Sequence, residues 1–546
     1  DAEELKLLSE EFRKRRESSA TESRDPIVYG TAVSGNTILV RTGTRLYAIG
    51  EKSQSVALRS SEGLGAKGDD GTQGAAGTAG KSEPKKLRPV TRLVFEDHKQ
   101  QTLRWADVSI DGDKQLHLGA VQSVAGVKSF DASKQKLVQM KEAVGFVLAG
   151  VRDEEKGAFE SGWVLIDAGA RYEDHGDHGH WRYPTAPQQT AAVLDQKQGN
   201  PAHIYAYDGK FFIANDQLNG FTRVDPVQVA AKENRGIGIL PVSASGRSGN
   251  NSDRLEAYPT NHSTKVVGAT FYQGGGNHIT LAAVNDQVAY ATWVDGGGPN
   301  KGRVDVTKIT GGDAKLSYSF FLSSGGLHGA TTNQGKVFFA PQNGIVWLQA
   351  DLTASLKPDA VKWQHISLGK SGDKPLRTGA FATFDKHVLC VTGRGAEAKL
   401  VVIDASQSNP TPQFVSLKGN DATRAMTPVV VKTSTATYAL VLHDAAEHDD
   451  DAATHPTEQL EVISLDPNGD QNFADAQSVK TLKLGRSAIE GHFGHHDVSC
   501  DASRRFAFVT NPGDATVTAV SLATLEAVGT FNVGGKPTTL IAVGGK

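Results

Sequence analysis

Within Arg171–Trp181, three imidazoles and three carboxylates fall inside eight positions: Glu173, Asp174, His175, Asp177, His178 and His180. Neutral imidazole and carboxylate are the nitrogen and oxygen ligands that zinc and its neighbours take up. Gly176 and Gly179 let such a loop fold several ligands back onto one ion. A solvated polar loop would use the same residue types, but the chain has only 17 histidines and places three of them here. That density points to metal binding.

Further histidine phrases follow downstream. His203, His278 and His328 each begin or precede a strand-like segment, and Asp216 follows one. If these segments enter successive sheets at a common axis, the three imidazoles converge on a nitrogen site with Asp216 as a candidate oxygen ligand. His443, His495 and His496 are read in the same way. A second His/carboxylate loop, Glu447 to Asp451 with His455, reads first as a solvated acidic loop and second as a weak capture site. Taken singly, each histidine has an ordinary packing or turn role; their recurrence at segment starts carries the metal reading.

The elements that would hold these residues are short strands. From about residue 87 to the end, runs of Val, Ile, Leu, Phe and Tyr alternate with Asp-Gly, Gly-Gly and Asn-Gly turns. Amphipathic helical periodicity is nearly missing. A hairpin meander of this length predicts an all-β fold with radially repeated sheets, a single β-propeller. Seven blades of about 65 residues each are the first expectation, with eight as the alternative. The segment preceding the histidine loop, Gly162–Asp167, is strand-like, so the loop leaves a sheet.

Upstream, the chain divides by composition. Residues 1–24 form a charged arm with a helical look from Leu5, Leu7, Leu8 and Phe12. Residues 25–60 read as strand, turn, strand, turn, strand, with turns at 34–36 and 42–44. Residues 61–86 form a linker in which glycine recurs at 65, 68, 71, 74, 77 and 80. That is a collagen-like Gly-X-Y period, but without proline and too short to hold a triple helix alone. A short arm and a Gly-rich linker therefore precede a propeller at 87–546. Self-association through the arm and the Gly-X-Y tract is one use for them.

Composition excludes several partners. The net charge is −3, leaving no basic field for nucleic acid. No apolar run reaches the roughly 18–20 residues of a membrane span. The chain begins at Asp1, as a processed secreted chain or a piece of a longer one would. Cys390 and Cys500 leave three options open: two buried thiols, a disulfide, or a Cys500 contribution to a metal site. No nucleophile elbow, phosphate loop, dinucleotide fingerprint or His-Glu-x-x-His appears in context. Gly274–Asn277 and Gly296–Pro299 read as turns. No catalytic or organic-cofactor-binding residue is identified.

Three resemblances sharpen this reading. The phrase around Val40–Gly50 resembles the closing repeat of quinoprotein-type propellers and covers about 25 residues. Residues 501–537, with Phe508-Val-Thr-Asn511, Thr516–Leu522 and Val533–Pro537, resemble a blade of the YVTN propeller family. The following 538–543 would then be the inner strand of the first blade, completed by chain near residues 90–160. The succession His175-Gly-Asp-His-Gly-His180, Pro201–His203, Asn277–Ile279, Gly326–Gly329, Val441–Asp444 and Gly494–Asp497 resembles the AztD-type propellers, secreted zinc chaperones. It covers most of residues 140–546. The resemblance implies a periplasmic or extracellular protein that binds Zn2+ near the propeller axis, assisted by the His-rich loop. It further implies transfer to a solute-binding protein of a zinc importer. Two family cysteines are replaced, by Ser324 and Pro341, which removes a disulfide from that picture; the N-terminal fragment and glycine tract are additions. Other divalent transition metals share the same ligand preferences. The alternatives are a structural or interaction propeller of the cell envelope or extracellular space, and an enzyme such as a propeller lyase or metallohydrolase.

Overall fold

The computed structural model describes residues 87–545, except 156–157, 177, 232–265, 312–313, 447–453 and 492, and the backbone of three strands between 28 and 50. Two compact units are present: residues 1–85 with 174–179, and residues 86–173 with 180–546. In the first, Val28–Ser34, Thr37–Thr42 and Leu46–Gly50 form a three-stranded antiparallel sheet. The expected arm at 1–24 and glycine linker at 61–86 lie outside the described residues.

The second unit is a β-propeller. Its eight blades, each a sheet of four or five strands, settle the blade number at the larger of the two compatible values. Blade 1 holds Pro89–Asp97, Thr102–Ile110 and Leu116–Leu118, with the C-terminal Pro537–Val543 as its innermost strand. Blades 2 to 8 begin at Gln135, Pro201, Leu281, Ala330, Ala382, Thr423 and Val498. In each, the chain enters on the innermost strand and meanders outward. Innermost strands touch their neighbours in a closed circuit that returns to Pro537–Val543. The ring closes by antiparallel pairing of Arg92 with Val543, Leu93 with Ala542 and Phe95 with Leu540, as the repeat pattern predicts.

Strand composition follows position. Middle strands such as Lys336–Phe339 and Val288–Thr292 are buried along their whole length, because neighbouring blades cover both faces. The outermost strand of blade 7, Gln477–Lys483, alternates exposed and half-buried residues. Eight apolar cores fill the gaps between adjacent blades. Arg92 also crosses one gap. Its guanidinium bonds Asp107 at 2.7 Å and the Ala168 and Thr185 carbonyls, and lies over the Trp105 ring.

Cys390 and Cys500 are both free thiols, and burial pushes each up to about 12, so neither is a reactive thiolate. No helix among the described residues is long and apolar enough to cross a membrane.

Candidate metal centre

His203, His278 and His328 come from the entry points of blades 3, 4 and 5, and the structure brings them together. Each offers one nitrogen, and these lie within 4.8 Å of one another. Local sequence explains each placement. His203 is half-buried between the buried Ala202 and Ile204 of an inner strand. The pairing register slips between Pro201 and Ile204, and such a bulge re-aims the side chain it carries. His278 ends a Gly274–Asn277 turn between blades, where a Cβ on Gly276 would meet the Trp293 ring at 2.3 Å. Asn277 takes a left-handed conformation, and its amide bonds both carboxylate oxygens of Asp295. His328 follows Leu327, which is fully buried in the core between blades 4 and 5. Its backbone N–H donates to Ala340 O.

The rings pack closely. Centroids of His203 and His278 are 4.6 Å apart, those of His278 and His328 5.0 Å, and those of His203 and His328 5.9 Å. His203 Nε2 and His278 Nε2 are 2.9 Å apart. The outer nitrogens are held as well. His278 Nδ1 lies 3.1 Å from Asp216 Oδ2, and His328 Nδ1 lies 3.1 Å from the Gly379 carbonyl. A carboxylate and a carbonyl only accept, so both Nδ1 atoms carry the proton and both Nε2 atoms keep a lone pair. This is the arrangement by which outer partners orient metal-ligating histidines. Burial keeps the His328 imidazole below its ordinary pKa, favouring the neutral form a metal needs.

Asp216 is placed differently from the sequence reading, which made it an oxygen ligand. It sits at the start of a 3-10 turn behind His278, accepts the Ile279 N–H at 3.1 Å and faces the outer nitrogen of the ring. Its position is that of a support. Gln139, whose amide nitrogen lies 3.4 Å from His203 Nδ1, and the Gly379 carbonyl were not identified from sequence; neither residue type signals a metal site, and both reach it through tertiary pairing.

The histidine loop forms a hairpin of Arg171–Asp174 and Gly179–Arg182. Glu173 lies 3.4 Å from His180 Nε2 and also pairs with Arg182. His175 and His178, in the first compact unit, stack with centroids 5.3 Å apart.

The remaining histidines divide. His443 lies on the second strand of blade 7, Thr437–Ala445, not at a blade entry as the sequence phrase suggested. It is fully buried and its Nε2 lies 2.8 Å from Glu461. His495 and His496 do precede the inner strand of blade 8. There His496 joins Asp444 and Glu458 in a second group of three ligand atoms within 4.8 Å, all three residues buried. Burial alone would raise the Glu458 carboxyl. Contacts from His496, Ser487 and His455 instead hold it well below the carboxylate range. His496 is raised despite its burial, by Glu458 and Asp444. Glu458 and Asp444 were not read as ligands in the sequence. The acidic stretch 447–453 lies outside the described residues.

No protein-family model matches this chain, and no curated protein does. Among solved structures, AztD from Citrobacter koseri aligns over 84% of this chain and 99% of its own, with TM-score 0.53 and 15% identity. The apo structure of that protein gives the same values. At this identity the likeness shows the propeller fold. A putative 6-phosphogluconolactonase from Bacteroides uniformis covers 84% of the chain with TM-score 0.40 and 8% identity, too distant to carry an argument.

Proposed function

We propose that this chain is a secreted zinc-binding propeller, a carrier that takes up zinc at His203, His278 and His328 and passes it to a partner protein. The observation that carries this reading is the meeting of three imidazoles from three blades, two of them with the outer nitrogen fixed on an acceptor. Tetrahedral zinc at about 2.05 Å from each nitrogen needs neighbouring ligand atoms about 3.3 Å apart. His203 Nε2 and His278 Nε2, 2.9 Å apart, lie a few tenths of an ångström inside that spacing.

Three neutral ligands leave a fourth position for water or for a group from a partner, as a site that must release its ion requires. The absence of thiolate from the ligand set keeps the ion exchangeable. The side chain of His278 is 32% exposed, so an approaching ligand can reach the site. A solute-binding protein of a zinc importer is the receiver implied by the sequence resemblance, and a periplasmic or extracellular location goes with it. The hairpin at 171–182, through Glu173 and His180, serves as an auxiliary capture point.

The test is metal content by mass spectrometry on untagged protein after zinc exposure, comparing the wild type with a His203→Ala, His278→Ala, His328→Ala variant. Loss of about one zinc ion per chain in the variant is expected. Equal zinc in both proteins would move the function away from this centre. A wild type that binds no zinc would leave a propeller acting through protein contacts.

A further inference from the structure

The buried group on blades 7 and 8 has features that packing alone does not explain. Asp444 is fully buried, Glu458 is 1% exposed and His496 is 5% exposed. Most of their polar atoms are pinned. Asp444 Oδ2 faces His495 Nδ1 at 2.9 Å, and Glu458 accepts the Ala445 and Ser487 N–H groups at 2.6 Å each. His496 Nδ1 is bonded to the Thr510 carbonyl, which can only accept, so this nitrogen carries a proton. Two atoms are left over. Asp444 Oδ1 and His496 Nε2 are buried without a hydrogen-bond partner. His496 Nε2 is 3.3 Å from Glu458 Oε2 but lacks hydrogen-bond alignment.

A lone pair on His496 Nε2 aimed at carboxylates is repulsive unless a cation stands among them. A second proton on His496 would supply one positive charge and could serve one carboxylate. His455 Nε2 lies 2.8 Å from Glu458 Oε2 and His495 Nδ1 2.9 Å from Asp444 Oδ2, but Asp444 Oδ1 would still be buried without a partner, which is costly. A divalent ion would engage all three residues and balance both carboxylates.

We propose that Asp444, Glu458 and His496 form a second, internal site for a divalent first-row metal ion, zinc by its mixed nitrogen and oxygen ligands. His495 acts as a positioning residue by fixing the Asp444 carboxylate. Access runs through a cavity of about 290 Å³ lined by His495, His496, Asp497 and Glu96. Gln139 lines the same cavity and contacts His203. The cavity therefore borders supports of both centres.

The experiment uses the full-length untagged chain with His175, His178, His180, His203, His278 and His328 all changed to Ala. After zinc exposure and dialysis, about one zinc ion per chain should remain. Adding Asp444→Asn, or separately His496→Gln, should remove at least nine-tenths of it, a roughly tenfold loss of occupancy, with both variants still folded by circular dichroism. The six-alanine chain binding no zinc, or binding it equally after Asp444→Asn, would overturn the proposal in favour of an imidazolium–carboxylate pair. Should the added variants fail to fold, X-ray absorption on zinc in the six-alanine chain decides. A shell with one imidazole and carboxylate oxygens supports the site, and a shell of several imidazoles overturns it.

Discussion

Gln139 fixes the proton of His203 on the wrong nitrogen for metal binding. Its Oε1 accepts the Ile204 N–H at 3.0 Å, so its amide N–H faces His203 Nδ1 at 3.4 Å. An N–H donor there requires an acceptor, which leaves the His203 proton on Nε2. That proton is donated to His278 Nε2, 2.9 Å away, whose own proton is held by Asp216. Gln139, His203, His278 and Asp216 thus form one hydrogen-bond chain. Binding an ion must move the His203 proton to Nδ1 and set it against the Gln139 amide.

This opposition weakens binding, which suits the release that the proposed carrier role requires. Gln139→Glu replaces the donor by an acceptor and should tighten zinc binding about tenfold, equivalent to ~1.4 kcal/mol. Gln139→Met removes the donor without adding charge and should tighten it by a smaller factor. Competition titration against a chromophoric chelator measures both. If neither variant binds more tightly than the wild type, Gln139 does not control the tautomer.

Glu96 makes stability depend on pH with an unusual sign. It is 1% exposed, and burial raises its carboxyl to about 7 despite hydrogen bonds from Thr538 and Thr539. The folded chain therefore holds a proton that the unfolded chain has already lost. That contribution is complete below about pH 4.5 and is lost as pH rises toward 7. The full shift amounts to about 3 kcal/mol as an order of magnitude. Glu96→Gln should raise the melting temperature at pH 8 and leave it nearly unchanged at pH 4.5. Melting curves at the two pH values are sufficient, and an equal shift at both would argue against a buried neutral carboxyl.

The propeller and the three-imidazole centre could be read from the sequence for the same reason. Turn pairs recur between short strands, and His203, His278 and His328 recur at the entries those turns create. The supporting residues were hidden because strand pairing decides them. Gln139 sits where the register slips between Leu137 and Met140, as His203 does between Pro201 and Ile204. A bulge changes which face a residue occupies, and no local pattern announces it. Asp216 carried the right chemistry, yet its 3-10 turn put it behind the ring. His443 shared a phrase with Asp444, but alternation along one strand sent the first to Glu461 and the second to the His496 group.

The closing strand makes the ring cooperative, so its removal should affect every blade. Pro537–Val543 is the innermost strand of blade 1 and touches the inner strands of blades 2 and 8. Leu540 is buried in the core between blades 8 and 1, and its N–H donates to Asp497 Oδ2 at 2.8 Å. Deleting 537–546 strips Pro89–Asp97 of its inner partner and exposes an edge on blade 1. It also opens the cavity wall formed by Thr538, Thr539 and Leu540. A single sharp thermal transition in the wild type should become broad and fall by roughly ten degrees in the deletion variant, with association at high concentration. Leu540→Ala tests the packing contribution alone and should cost about 2–5 kcal/mol. Calorimetry of the two variants separates these effects. A deletion variant that melts as sharply as the wild type would mean that the blades do not depend on ring closure for their stability.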